Sequence, residues 1–328
     1  MAPGLVNTAH WSRGVLPALL LLTLSSGWET VRGQEPSRQA FLERAEELIL
    51  DNNYDGEETE HFRVQTDDPR FQVAEAGLLL ESFRDYFEGF WSGHRQLREY
   101  DEPVRIFLFY SRYKYKQLLQ PAGGLIGDVP PGHYRPFFDL IAIHTDTVGP
   151  ANLPDVLVHE AAHQLIWQRL YEDRNFPTLW INEGLASYFG YTQRDKSARF
   201  ETGKIGGKQI DLLRMDESPG RGQRRSRLAE FRRALAQGNV QPIDELIRIT
   251  NPADFYGEGA TDRYTASWTL FHFFLHGEEG SRASGLFDFL AKEFEGNRDP
   301  DELYRRIGMD ANGLESAYRE YLKKLKAR

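Results

Sequence analysis

The sequence predicts an α+β protein in which strands and helices alternate early and helices alone follow. Three observations carry that expectation. Residues 61–67 and 104–110 have the short apolar, β-branched and aromatic character of strands, and 137–146 holds the continuous apolar run of a buried strand. From 227 onward every apolar pattern has helical spacing. Between these parts, residues 155–171 form an amphipathic stretch that no glycine or proline interrupts, preceded by Pro154, which suits a first helical position, and opened by Asp155, favourable at the positive end of a helix dipole. With 328 residues, 40% of them apolar and 13% aromatic, the chain can bury one large core or two lobes. The expected arrangement is an N-terminal mixed-sheet lobe over 34–172 that carries the 155–171 helix, then an all-helical lobe over 173–328.

Taken in order, the chain opens on an export signal: His10 and Arg13 precede the apolar run Val15–Leu24, and small residues at 25–27 or 31–33 suit cleavage, so 1–33 is expected to be removed. That run is too short to span a bilayer, and no transmembrane segment is expected after cleavage. Loss of Arg13, Glu29 and Arg32 moves the net charge from −9 to −10, an acidic balance that argues against nucleic acid as a partner. The absence of cysteine excludes disulfides, thiolate metal sites and a thiol nucleophile. Residues 35–51 have a helical pattern, 51–56 a turn cluster, and 61–67 a strand closed by Pro69. A long helix over 72–93 should pack on the sheet through Leu79, Leu80, Phe83 and Phe87, followed by the strand 104–110 and a helix over 111–119. A Gly/Pro-rich loop over 121–132 leads to the strand 137–146. Beyond a polar, Gly-containing segment at 193–208, helical runs are expected at 227–236, 242–249, 262–276, 282–294, 300–306 and 313–326. The basic cluster Arg221, Arg224, Arg225, Arg227, Arg232 and Arg233 reads as a solvated loop and helix face, because Glu230, Leu228, Phe231 and Leu235 lie within it.

The 155–171 stretch contains His159, Glu160 and His163 in a His-Glu-x-x-His pattern. On a helix the two histidines stand one turn apart on one face, where two imidazoles bind a single metal ion. Glu183 lies twenty positions after His163 in another helix-compatible run, and two His with one Glu is a ligand set for hydrolytic zinc, with a fourth position left for water. Glu160 cannot easily reach the ion from its own backbone position, but it can reach that water as general base. Either histidine alone would read as a hydrogen-bonded helix residue; the four together carry the expectation of one Zn²⁺ per chain. Asn182 is expected to cap the second helix, and Gly184 to allow close helix approach. Histidines 61, 94, 133, 144, 272 and 276 are expected to pack or face solvent, with only His144 and His272 where a cleft would fall.

These residues resemble the gluzincin metallopeptidases, most closely the exported peptidase MA-like proteins, whose second motif is matched by Pro177, Trp180, Glu183, Gly184, Ala186, Tyr188 and Phe189. The resemblance implies a zincin-like fold with the metal in a cleft between two lobes, ligands His159, His163 and Glu183, and a peptide or protein substrate. It also implies that Leu140 to Thr145, just before the metal helix, is an edge strand that pairs with substrate, although a run this uniformly apolar reads equally well as an ordinary buried strand. Gluzincins draw an oxyanion-stabilising Tyr or His from the second lobe. Here the run 261–276, opened by a Thr261/Asp262 cap, resembles their helix and puts Tyr264 in its first turn as a catalytic candidate, with Tyr256 and His272 as replacements.

Two departures narrow what the resemblance implies. Ser187 stands where the thermolysin-like branch has an acid that orients a ligand histidine, which leaves that partner unassigned. No Gly-x-Met-Glu-Asn segment is present to hold a substrate amine, so an endopeptidase is expected rather than an aminopeptidase. Two other readings stay open: a zinc-binding module without hydrolysis, against which Glu160 argues because structural zinc sites are closed and need no adjacent base, and a zinc hydrolase of a non-protein amide such as cell-wall peptides.

Overall fold

The structure, a computed structural model, describes residues 37–50, 54–100, 102–119, 130–171, 176–195, 197, 199–205 and 227–326. The expected export signal, residues 121–129 of the Gly/Pro loop, and Arg221, Arg224 and Arg225 of the basic cluster lie outside them. Among the described residues no helix is long and apolar enough to cross a membrane.

Helix α1 (Arg38–Leu50) precedes β1 (Asp55–Glu58) and β2 (Phe62–Thr66); then come α2 (Val73–Trp91), β3 (Val104–Phe109), α3 (Arg112–Leu119), β4 (Gly132–Arg135), β5 (Leu140–His144) and a short α4 (Thr145–Val148). The strands form one mixed sheet in the order β1-β2-β3-β5-β4, parallel at its centre and antiparallel at both edges. Alternation explains why β3 and β5 read as unbroken apolar runs. Ile106, Leu108, Ile141 and Ile143 face the core shared with α2, while Phe107, Phe109, Leu140 and Ala142 face Phe41, Ala45, Tyr115 and Leu118 of α1 and α3. Buried on both faces, these strands have no polar side to show.

One expectation is corrected here. Leu140 to Thr145 does not lie at an edge: β5 is held between β3 and β4, and every residue of it is buried. The edge beside the 155–171 helix is β4, a four-residue strand that begins at Gly132, the last residue of what reads as a loop. Its turn into β5 closes through Asp139, which holds a left-handed φ of 49° and accepts hydrogen bonds from Tyr100 and Gln168.

Helix α5 (Leu153–Leu165) begins as expected, with Pro154 in its first positions, but its continuation is a π-helical turn, Ile166–Leu170, in place of the α-helix expected to run to 171. Then follow α6 (Leu179–Gly190), the antiparallel hairpin β6 (Thr192–Arg194) and β7 (Phe200–Ile205), α7 (Arg227–Ala236), α8 (Ile243–Ile247), α9 (Pro252–Tyr256), α10 (Ala260–His276), α11 (Ala283–Phe294), α12 (Pro300–Ile307) and α13 (Ala311–Lys324). The second half is therefore not all-helical. Phe200 of the hairpin stacks on Tyr86 of α2, with ring centroids 5.0 Å apart, and so ties the described part of the polar 193–208 segment to the first half.

A single buried cluster runs from Phe62 on the sheet to Leu325 past α13. Its centre is the packing of α6 against α5 on one side and α10 on the other. Gly184 permits the second contact, as expected: a Cβ there would lie 2.7 Å from the Phe271 ring and 3.0 Å from the Ser267 carbonyl oxygen. The start of α6 is fixed by buried Glu293 of α11, whose carboxylate accepts from the Thr178 backbone N–H at 3.1 Å and its hydroxyl at 2.5 Å, at the helix end where negative charge is favourable.

Candidate metal centre

Helical spacing puts His159 and His163 on one face of α5, their rings perpendicular with centroids 4.6 Å apart and their Nε2 atoms 3.1 Å apart. Packing of α6 across α5 brings Glu183 Oε2 to 3.6 Å from His159 Nε2 and 3.5 Å from His163 Nε2. Tetrahedral zinc, with bonds of about 2.0–2.2 Å, sets its ligand atoms about 3.3–3.6 Å apart, close to these three separations. All three side chains are largely enclosed, and Glu183 Oε2 is a buried oxygen with no hydrogen-bond donor. A carboxylate so placed is costly unless a cation shares the site. Three convergent atoms of borderline donors at this spacing fit a divalent ion of the zinc kind.

In the metal-free protein the three groups satisfy one another in part. Burial disfavours charge on His163, but Glu183 outweighs it and pushes the imidazole up to about 9. Burial likewise opposes the Glu183 charge, yet the two imidazoles hold its carboxyl well below the usual carboxylate range.

Two further side chains orient the candidate ligands. Asn182 Oδ1 lies 3.0 Å from His163 Nδ1, so the amide oxygen accepts the Nδ1 proton and orients the ring with Nε2 toward the site. Tyr256 donates its phenol to Glu183 Oε1 at 2.7 Å, and burial followed by the Glu183 charge pushes that phenol well above its ordinary value. The expected cap at Asn182 is thus corrected: Thr178 precedes the helix, and Asn182 sits inside α6. It supplies the partner for candidate ligand His163 that the sequence left unassigned. Asn182→Ala is expected to weaken metal binding by about 10–100-fold without unfolding the chain, read by competition with a chromogenic chelator.

Glu160 faces the edge strand. Its Oε2 accepts the Tyr134 backbone N–H at 2.9 Å, and the strand comes this close because position 132 is glycine: a Cβ there would lie 2.8 Å from Glu160 Cγ and Oε1. Burial, and after it the Glu183 carboxylate, raises the Glu160 carboxyl above its ordinary value. Tyr264 lines the same cleft from α10, and burial with the nearby Glu183 charge keeps its phenol protonated. It lies past the first turn, because α10 starts at Ala260 behind Gly259, with a φ of 80°, and Asp262 pairs with Arg227 at 3.0 Å in place of capping.

Of the candidates named from sequence, the structure brings together His159, Glu160, His163, Glu183, Tyr264 and the alternative Tyr256. It removes His272, which binds Tyr321 and the Gly203 carbonyl oxygen, and His144, fully buried against Asp146. In their place His133 of β4 lines the cleft, and burial followed by nearby Arg135 pushes its imidazole down to about 3, so it stays neutral.

No curated protein matches this chain. Residues 155–295 match the model of a family described as a protein of unknown function (DUF1570), a stretch that starts on α5 and contains all three candidate ligands, Glu160, Tyr256 and Tyr264.

Proposed function

We propose that this chain is an exported zinc metallopeptidase with a zincin-like arrangement, cleaving peptide bonds with His159, His163 and Glu183 as zinc ligands and Glu160 as general base. One observation carries the reading: two imidazole nitrogens and one carboxylate oxygen converge at zinc spacing, and a second acid, Glu160, stands outside that set on the helix of the two histidines. Three protein ligands leave a position open to reactants, whereas a structural site is closed. When bound, zinc supplies Lewis acidity toward a water and a substrate carbonyl. Glu160 takes the proton of the attacking water, its basicity raised by burial, and hands that proton to the leaving nitrogen. The Tyr264 phenol donates to the oxygen that gains charge, while Asn182 and Tyr256 hold ligand orientation. The expression as an exported protein rests on the pattern in residues 1–33.

The test is digestion of an unbiased peptide library by the purified protein with and without a chelator. Cleavage that disappears with chelator and returns with zinc supports the reading; a zinc-loaded protein that cuts nothing removes it. Tyr264→Phe deletes one hydroxyl and is expected to lower kcat by about 10²–10³ with little change in KM. Unchanged kcat would leave Tyr264 a packing residue.

A further inference from the structure

One wall of the cleft differs in kind from the rest. Trp167 follows His163 by one turn, in the π-helical segment, and its ring lies 4.4 Å from that of Phe176, which in turn lies 6.0 Å from Phe137. Trp167 and Phe176 line the same cleft as His159 and His163 and are only partly covered, while Phe137 is 37% exposed. Prolines 130, 131, 136 and 177 complete the surroundings and offer no backbone N–H. Large apolar groups left half-open beside a reactive centre are what a substrate side chain covers.

Charge narrows the choice of side chain. Among the described residues no lysine or arginine lines the cleft, the carboxylates that line it are Glu160 and Glu183, and burial holds His133 neutral. A charged substrate side chain entering here would lose water and gain no counter-ion. A flat apolar one would stack on Trp167 and Phe176. We infer that Trp167, Phe176 and Phe137 form a subsite that selects peptides with a large apolar side chain, aromatic above all, next to the bond cleaved; this rests on the peptidase reading of the same centre. One helical turn separates Trp167 from His163, about 5–6 Å between Cβ atoms, which is the reach of one residue along a bound peptide.

The test reads binding, so that it stands apart from turnover. Zinc-loaded full-length protein is titrated calorimetrically with a series of amino-acid hydroxamates differing only in side chain: benzyl, hydrogen, carboxyethyl and aminobutyl. The benzyl probe should bind at least roughly tenfold tighter than the others. Trp167→Ala and Phe176→Ala should each bring the benzyl and hydrogen probes within about threefold of one another, while zinc content stays at the wild-type level. Phe176→Lys should move the carboxyethyl probe to the front, a gain that misfolding cannot produce. Equal binding of all four probes, a preference for a charged one, an unaltered preference in all three variants, or no binding of any probe overturns the subsite. Failure of the peptidase reading looks different: the probes rank as stated, yet no library peptide is cut. Cleavage without side-chain preference leaves the peptidase standing and removes the subsite.

Discussion

Glu160→Gln is expected to keep its zinc and to lose peptide hydrolysis by about 10²–10⁴-fold. The amide nearly matches the carboxylate in size, so it fits the space left by the missing side chain of Gly132 and can still accept the Tyr134 N–H through its oxygen. It cannot take a proton from water. Glu160 contributes no atom to the ligand set, so elemental analysis should return the wild-type zinc content while progress curves on a library-derived peptide go flat. Undiminished cleavage would remove Glu160 from the chemistry.

The second large effect concerns the ligands. His163→Ala and Glu183→Ala should each drop zinc from one per chain to near none after dialysis, because two remaining donors at 3.1–3.6 Å cannot hold the ion as three do. Full occupancy in both variants would mean that the ion sits elsewhere. Chelated wild-type protein adds a pH signature. The imidazole of His163, raised to about 9, contributes stability that is complete below its ordinary 6.5 and lost as pH rises through 9. Glu183, depressed below the carboxylate range, contributes stability that is complete above its ordinary 4.5 and lost as pH falls. Melting temperature of the metal-free protein should therefore be highest from about pH 4.5 to 6.5 and decline on both sides, and Glu183→Ala should flatten both declines. A metal-free melting curve indifferent to pH in both proteins would contradict the ion pair.

What the sequence made legible was whatever a local period encodes. His159 and His163 share a face by helical spacing, the length of the Glu183 separation suits helix, connection and helix, and the two-sided burial of β3 and β5 shows as unbroken apolar runs. What stayed hidden was set by tertiary partners. Strand β4 has four residues between Pro131 and Pro136, too few to display alternation, and becomes a strand by pairing with β5. Hairpin β6–β7 is held by Phe200 against α2, in a segment whose letters otherwise read as loop. Asn182 suits a cap as well as it suits His163, and only the packing of α6 on α5 decides between them. The five residues of α9 that deliver Tyr256 are too short for a helical period, so the hydroxyl on Glu183 could be suggested as an alternative to Tyr264 but not given its own task.

Trp180 of α6 stacks on Phe271 of α10 at 5.4 Å and on Phe289 of α11 at 6.2 Å, within a core that runs without a seam beneath the cleft. A jaw-like opening between the two halves would have to pull Phe189 of α6 from Phe83 and Phe87 of α2, at 5.6 and 5.4 Å, and Phe294 of α11 from Trp91 of α2, at 5.5 Å, and expose those rings to water. Glu183 and Tyr264 ride on helices joined by that stack, so their separation is fixed when the chain folds and not when a substrate arrives. The ordering cost of bringing these groups together then falls on folding, and on the proposed peptidase reading a peptide would meet groups already in position. On that reading binding is expected to be single-step in stopped-flow fluorescence, because these groups need no rearrangement between arrival and reaction.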